Sequence, residues 1–396
     1  MASRENDDVV IVGAARTPFG KLLGALAQLE ATKLGSHAIQ GALAQGGVSA
    51  DAVEAVILGQ VLQAGAGQNP AKQAALGAGI PASAHTSTVN KVCLSGLTAV
   101  IDAARLIRSG EASVVVAGGM ESMTNAPHLL RNTRAGVKFG ALEAVDHMEY
   151  DGLRDAHQGI SMGLLTEQHG NDYPVSREEQ DRVAALSHQR ALAATQDGTL
   201  GLEISPVTVR TRRGETTVET DEGIREGVTE ESLAALRSAF SQDGSITAGN
   251  SSPITDGAAA VALTTRHHAT EQGWTALATL RAVGQVAGPD ASLQAQPANA
   301  LEQALQRQGW RVDKLDLIEI NEAFGAVVAH SARQLGVSED IVNPHGGAIA
   351  LGHPIGASGA RLVVHAAHQL AAGNATAAGV ALCGGGGQGE ALLLEG

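Results

Sequence analysis

One order of structural elements occurs twice in this chain. Residues 90–119 and 343–385 both run from a strand end through a glycine-bearing turn, a Ser-Gly pair, an Ala-rich helix and a buried strand to Gly-Gly. When Ser95-Gly96 is laid on Ser358-Gly359, the glycines after the next strand fall nearly in register. The repeat predicts a duplicated α/β domain, with two reactive turns facing each other across a pseudo-twofold axis.

The wider pattern indicates how the repeat is embedded. Apolar β-branched runs alternate with Ala-rich helical stretches over residues 9–119 and again from residue 251 onwards, which predicts α/β layers with mostly parallel strands. Charges and turn residues multiply over residues 120–247, which predicts an inserted loop subdomain. The predicted division is a first half of residues 1–119 plus 250–273, an insertion of residues 120–249, and a second half of residues 274–396.

Composition excludes several classes of protein. The 396 residues are 44% hydrophobic and 17% charged, which is typical of a compact protein with a large core. A formal charge of -14 disfavours nucleic acid and anionic membranes, so an anionic ligand needs a local basic patch. The sequence has no run of 18 apolar residues, and residues 1–8 do not resemble a signal peptide. Two cysteines form no disulfide framework, which favours the reducing cytoplasm.

Both cysteines lie in glycine-bearing turns. Cys93 follows a strand-like segment and precedes a helix of more than three turns. The helix dipole there is expected to lower the pKa of the thiol, and the first helical N–H groups are available to an oxyanion. The alternative is a buried cysteine that only packs in the core.

Three further residues can likewise be interpreted either as functional or as structural. Cys383 ends a buried strand and opens a run of four glycines, which predicts an anion-binding nest, or alternatively a tight turn with an inert thiol. His353 lies between Gly352 and Pro354, which fixes the direction of its ring, although a structural histidine fits as well. Asn321 follows another strand, where its amide either holds a water or carbonyl oxygen or caps a helix.

Motifs for phosphate, dinucleotide and metal binding are not satisfied. The glycines near the start lack P-loop spacing, and Gly65 to Pro70 lacks the third glycine of a dinucleotide fingerprint. His267-His268 has no partner at metal-ligand spacing, and neither HExxH nor CxxC occurs. The sequence therefore predicts no catalytic metal.

Four segments in this order resemble the signature blocks of the thiolases. They are Asn90 to Gly96, Asn321 to Phe324, Gly352 to Gly359, and Cys383 to Gly389. The likeness covers nearly the whole chain, and Gly59 to Pro70 is similar to the acetyl-CoA acetyltransferase branch. The resemblance implies a layered α-β-α-β-α core of two repeated halves, with an inserted loop subdomain that binds CoA.

The resemblance also implies roles for the reactive residues. Cys93 would be the nucleophile that carries the acyl group as a thioester, and His353 would accept its proton. Cys383 would be the acid/base for the second substrate. Asn321 would hold a water that forms one oxyanion site with His353, and the N–H groups of Cys93 and Gly385 would form the other.

Substrate contacts follow from the same likeness. Arg225 and Ser232 would meet the nucleotide end of CoA, and Ser252 the pantetheine arm. Met162 and Phe324 would shape the acyl pocket.

Other positions are weaker candidates for substrate contacts or depart from the family pattern. Three arginines are further candidates for phosphate contacts, or alternatively form a solvated face: Arg210, Arg212 and Arg213. Departures from the short-chain pattern occur at Ser161, at residues 292–297 and at His345. These departures leave the acyl chain length open.

The resulting hypothesis is the reaction 2 acetyl-CoA ⇌ acetoacetyl-CoA + CoA, carried out without a cofactor by a cytoplasmic homodimer or homotetramer. The alternatives are a longer-chain 3-ketoacyl-CoA thiolase of fatty-acid breakdown, a decarboxylating ketoacyl synthase, and a non-catalytic acyl-CoA binding protein.

Overall fold

Ten strands within the described residues form one mixed β-sheet. Most neighbouring strands in it are antiparallel, so the expectation of mostly parallel strands was wrong. The computed structural model describes residues 7–211 and 214–396. The strands of this sheet are β1 (Val9–Arg16), β2 (Gly20–Lys21), β3 (Ala55–Gly59), β4 (His85–Val89), β5 (Val115–Ser122), β10 (Thr255–Thr265), β11 (Ala278–Ala287), β12 (Leu317–Ile320), β13 (Ala377–Gly384) and β14 (Gln388–Glu395). Two small hairpins are formed by β6 (His128–Leu130) with β7 (Ala144–Asp146) and by β8 (Val207–Thr211) with β9 (Gly214–Val218).

Eleven α-helices occur within the described residues. They are α1 (Ala31–Gly46), α2 (Pro70–Gly77), α3 (Ser95–Ser109), α4 (Met162–Gln168), α5 (Arg177–Gln196), α6 (Glu230–Ala234), α7 (Arg266–Gln272), α8 (Gln296–Gln308), α9 (Gly325–Leu335), α10 (Ala348–Leu351) and α11 (Ser358–Ala371). None of these helices combines the length and the apolar character that crossing a bilayer requires.

The sheet repeats one arrangement on either side of its middle. Its strand order is β12-β13-β14-β11-β1-β10-β5-β3-β4, with β2 beside β10. Outward from the β1–β11 junction, each half has two antiparallel pairings followed by a parallel one. The next parallel step is β3–β4 in the first half and an isolated bridge between Ile318 and Val342 in the second. The predicted duplication is confirmed, whereas the exact domain limits stay a prediction.

The two halves enclose a shared helical layer. One core cluster combines residues of α3 and α11 with strands of both halves. A second cluster packs α1 and α2 on the outside of the first half, and a third packs α8 and α9 on the outside of the second. This arrangement gives the α-β-α-β-α layers that the resemblance implies.

The Ser-Gly pairs lie where α3 and α11 meet. A Cβ atom added at Gly359 would lie 2.5 Å from the backbone nitrogen of Leu97, and one at Gly96 would lie 2.9 Å from that of Ala360. The two glycines therefore make equivalent contacts across the helix pair. Because each helix begins at its Ser-Gly pair, this close approach brings the two preceding turns together.

Strand β5 is longer than the sequence pattern suggested. We expected the strand to end before Gly118-Gly119, but both glycines lie within β5 and are buried. A Cβ at Gly119 would overlap the carbonyl oxygen of Gly356, and one at Gly118 would overlap that of Ala259. The glycines thus serve close backbone packing and do not end the strand.

The insertion is tied to the core by a buried arginine. Arg16, at the end of β1, is fully buried and forms ion pairs with Glu203 at 2.5 Å and Asp221 at 2.6 Å. Asp221 also accepts the N–H of Phe19 at 2.8 Å. Arg16 therefore positions Glu203 and Asp221, which both belong to the predicted insertion, against the first half.

We predict that Gly359→Ala destabilises the protein although alanine favours helix. The added methyl meets the α3 backbone, which has no flexible side chain to move aside, so the expected loss is about 1–3 kcal/mol in the free energy of unfolding. Gly201→Ala is the matched control, because nothing lies within 4 Å of a Cβ at that position. Urea unfolding measures the free energy of unfolding of both variants. Equal losses for the two substitutions would contradict the packing argument.

Candidate active site

The turn that carries Cys93 has an unusual backbone. Val92, a β-branched residue, has φ of +52°, a conformation that costs energy and that often occurs at functional sites. Asn90 Oδ1 accepts the Val92 N–H at 3.0 Å, and Ser95 Oγ accepts the Lys91 N–H at 2.8 Å while donating to the Val92 carbonyl oxygen at 2.6 Å. These bonds hold Cys93 at the N-terminal end of α3.

An ion pair joins this turn to the second half. Lys91 Nζ lies 2.6 Å from Glu390 Oε1, and Thr98 Oγ1 donates to the other carboxylate oxygen at 2.7 Å. Glu390 lies on β14, one position beyond the residue that pairs with Cys383. The two cysteine-bearing segments are thus linked through a fully buried carboxylate.

His353 is oriented by a serine hydroxyl. Its Nδ1 lies 2.5 Å from Ser358 Oγ, and that hydroxyl donates to the Pro354 carbonyl oxygen at 3.0 Å. Since the single hydroxyl proton is used there, Nδ1 carries the ring proton and Nε2 keeps its lone pair. Burial, together with the charge of Arg361, lowers the pKa of His353 to about 4. The imidazole is therefore neutral and able to accept a proton at Nε2.

Asn321 lies directly beside that nitrogen. Its Nδ2 is 3.4 Å from His353 Nε2, and the residue is fully buried at the end of β12. Its Oδ1 is buried and has no hydrogen-bond partner among the described residues. An amide held in this way presents both a donor and an acceptor next to the imidazole.

The pKa of the Cys93 thiol differs from the value expected for a cysteine at a helix N-terminus. The pKa of this thiol is raised to about 12. Burial is the main cause and the buried Glu121 carboxyl group adds to it, while the N–H groups of Cys93 itself and of Gly385 act in the opposite direction. The expected dipole effect is outweighed by desolvation, so the prediction of a lowered pKa was wrong. The resting thiol is neutral and needs a base to become nucleophilic.

Cys383 lies inside β13 and pairs with Gly389 across a tight turn. Its side chain is only 2% exposed, and burial raises the pKa of this thiol well above its usual range. The second cause is the neighbouring Cys93, so a negative charge on one sulfur opposes a charge on the other. Both cysteines are free thiols.

One apolar cavity, called the central cavity here, lies in front of these groups. Its volume is about 330 Å³. Seven of the predicted site residues line it: Cys93, Met162, Ser252, Phe324, His353, Cys383 and Gly385. Asn321 lies just behind His353, so the structure brings the whole predicted catalytic set together.

A second cavity, the outer cavity, adjoins the central one. Arg225 and Lys21 line it, and it shares Ser251, Pro253 and Ile254 with the central cavity. It has a volume of about 380 Å³. Two cations on a chain of net charge -14 provide the local basic patch that an anionic ligand needs.

Other predicted contacts do not lie at either cavity. The Ser232 hydroxyl oxygen caps α6 by accepting the Thr229 N–H at 3.0 Å, and its contact with CoA stays a prediction. Arg210 pairs with Glu215 at 2.7 Å on the exposed β8–β9 hairpin. Arg212 and Arg213 lie outside the described residues.

One buried acidic side chain that organises the site was not predicted from the sequence. Glu121, fully buried at the end of β5, accepts the N–H groups of Val61 at 2.9 Å, Leu62 at 3.1 Å and Gly356 at 3.0 Å. It thereby attaches the segment after His353 to the first half. Burial raises its pKa to about 7. An acidic residue inside an otherwise apolar strand was the available signal.

Comparison with known proteins agrees with this arrangement. Residues 9–267 match the family described as Thiolase, N-terminal domain, and residues 274–396 match Thiolase, C-terminal domain. The chain belongs to the thiolase family.

Individual relatives are similar to this chain over nearly their whole length. The chain is 54% identical over 387 residues to a "Probable acetyl-CoA acetyltransferase" of Mycobacterium tuberculosis, with 98% of each chain covered. It is 46% identical over 388 residues to the "Acetyl-CoA acetyltransferase" of Pseudomonas aeruginosa, covering 98% of this chain and 99% of the relative. The corresponding protein of Shinella zoogloeoides is 43% identical over 386 residues, with 98% of each chain covered.

We predict that alkylation of Cys93 by iodoacetamide rises about tenfold per pH unit between about pH 7 and 9, because only the thiolate reacts and its pKa lies above this window. The Cys383→Ala variant isolates the Cys93 signal, and mass spectrometry quantifies the adduct. A rate that levels off below about pH 8 would mean a preformed thiolate and would contradict the burial argument.

Proposed function

We propose that this thiolase catalyses 2 acetyl-CoA ⇌ acetoacetyl-CoA + CoA by two-step acyl transfer. The observation that carries the proposal is the convergence of two thiols and a neutral imidazole on one apolar cavity. The names of the relatives supply the substrate. A cysteine at the position of Cys383 also favours this chemistry over that of a decarboxylating synthase, in which a second histidine would be expected.

In the first step Cys93 Sγ attacks the acetyl-CoA carbonyl and its proton passes to His353 Nε2. The C–S bond to CoA breaks, and the CoA thiolate takes the proton of Cys383. The carbonyl oxygen, negatively charged in the transition state, would be stabilised by the N–H groups of Cys93 and Gly385, which already face the sulfur. The enzyme then holds an acetyl thioester and a Cys383 thiolate.

In the second step the Cys383 thiolate removes a proton from the methyl group of a second acetyl-CoA. Its raised pKa suits this role, because a strongly basic thiolate comes closer to the proton affinity of a carbon acid. The resulting carbanion attacks the acetyl carbonyl on Cys93, a C–C bond forms, and the Cys93 sulfur leaves. His353 returns the stored proton, so each group regains its starting state. Asn321 with His353 would hold the water that stabilises the enolate oxygen.

Every proton and charge in this scheme is handled by side chains and backbone N–H groups, so we propose no metal or other cofactor. We also propose a cytoplasmic homodimer or homotetramer. Two free thiols at the centre of the site suit a reducing compartment.

The half-reactions can be separated by mutation. Incubation with acetyl-CoA is expected to give an acetyl adduct on Cys93 in the native enzyme and in Cys383→Ala, but none in Cys93→Ser, as measured by mass spectrometry of peptides. Formation of acetoacetyl-CoA by Cys383→Ala should fall at least about 100-fold, since the acid/base is lost. An adduct on Cys383, or a folded enzyme that binds CoA without becoming acetylated, would contradict the proposal.

A further inference from the structure

The two N–H groups that we propose for the oxyanion come from different halves of the molecule. One belongs to Cys93, just before α3 of the first half, and the other to Gly385, in the turn of the β13–β14 hairpin of the second half. Both face the Cys93 sulfur. Because the two groups are far apart along the chain, their spacing depends on how the Cys93 turn is fastened to the hairpin.

Close packing fixes one aspect of this junction. A Cβ atom added at Gly384 would lie 2.6 Å from Leu94 Cγ, and one added at Gly385 would lie 3.4 Å from a methyl carbon of Val92. These contacts limit how near the hairpin comes to the turn. Apolar contact has no directional preference, so a polar contact is needed to stop the two surfaces from sliding past each other.

Glu390 supplies that directional contact. It lies on β14, pairs with Leu382 across the hairpin and is fully buried. Its Oε1 accepts Lys91 Nζ at 2.6 Å and Gln285 Nε2 at 2.6 Å, and its Oε2 accepts the Thr98 hydroxyl at 2.7 Å. The donors belong to the Cys93 turn, to β11 and to α3. One carboxylate on the hairpin therefore holds both the turn and the helix that follows it.

Lys91 carries this contact into the strained part of the turn. Its own N–H donates to Ser95 Oγ at 2.8 Å, while its side chain reaches across to Glu390. The next residue is Val92, whose φ of +52° is unfavourable for a β-branched side chain. A strained conformation of this kind persists where the surrounding structure restrains it. The ion pair is one such restraint, and it acts two positions before Cys93.

We propose that Glu390, through Lys91 and Thr98, is a positioning residue that sets the spacing of the Cys93 and Gly385 N–H groups and thereby the rate of acetyl transfer to Cys93. The inference rests on the proposed function, because it concerns the same acetyl thioester. Glu390 lies outside the lining of the central cavity, so it acts through the groups that it holds. Its effect is exerted on the transition state, in which the carbonyl oxygen becomes negatively charged, and much less on the binding of acetyl-CoA.

Three substitutions test this role. Glu390→Leu keeps most of the side-chain volume and removes the acceptors, and the Lys91 side chain, which is 27% exposed, can turn to water. Glu390→Gln removes the charge but keeps an acceptor for Lys91 and a polar group beside Thr98. Lys314→Met is the matched control, because it breaks a lysine–glutamate pair with Glu395 at the far end of the same strand.

The experiment measures single-turnover acetylation of Cys93 over a range of acetyl-CoA concentrations, by quenched flow and mass spectrometry. Glu390→Leu should lower the rate at saturation about 10–100-fold, which is less than the loss of a whole oxyanion donor, and should change the half-saturating concentration less than about threefold. Glu390→Gln should keep at least about a third of the native rate, since its hydrogen bonds remain. Lys314→Met should match the native enzyme.

Alkylation of Cys93 by iodoacetamide at about pH 8 separates positioning from a general loosening of the site. Loosening exposes the thiol and raises the rate of alkylation. Displacement of the Gly385 N–H instead removes a contact that favours the thiolate, which lowers that rate. Glu390→Leu is therefore expected to react no faster than the native enzyme, with the adduct assigned to Cys93 by peptide mass spectrometry.

Two sets of outcomes overturn the proposal and are distinguishable. Native-like acetylation of Glu390→Leu, equal losses in Glu390→Leu and Glu390→Gln, or faster alkylation of Glu390→Leu would each contradict a positioning role and leave the proposed function standing. If Glu390→Leu does not fold, Lys91→Met/Glu390→Leu takes its place with the same expectations, because it leaves neither charge of the pair. If the native enzyme gains no acetyl group on Cys93, the proposed function itself fails.

Discussion

The active site depends on a backbone contact that admits no side chain. Gly96 and Gly359 let the first turns of α3 and α11 touch, and Gly119 lets β5 approach the Gly356 carbonyl oxygen. Both reactive turns end at this contact, so packing between α3 and α11 brings Cys93 and His353 together. The buried carboxylates of Glu121 and Glu390 then join the turns to the opposite halves.

Burial determines the chemistry of the groups so placed. An apolar cavity disfavours charge, and it therefore keeps both thiols protonated and the imidazole neutral. In the mechanism that we propose, every charge formed during turnover arises next to a group that can neutralise it. The N–H groups of Cys93 and Gly385 already face the Cys93 sulfur, and we propose that they also stabilise the oxyanion.

The fold and the catalytic set were predictable because they depend on local signals. The repeated Ser-Gly pairs and the glycine-bearing turns at Cys93 and Cys383 are visible in the sequence. The ion pair between Lys91 and Glu390 was not predictable, since it joins residues 299 positions apart. The sign of the Cys93 pKa shift was missed for a related reason: the helix dipole is a local property, whereas desolvation depends on the whole enclosing structure.

We propose that the two halves together position one thioester between a base and a pair of N–H donors. A crystal structure of the acetylated enzyme, trapped with acetyl-CoA, tests it most directly. We expect an acetyl group on Cys93 whose carbonyl oxygen lies about 2.7–3.1 Å from the backbone nitrogens of Cys93 and Gly385. A thioester on Cys383, or a carbonyl oxygen turned away from both nitrogens, would contradict it.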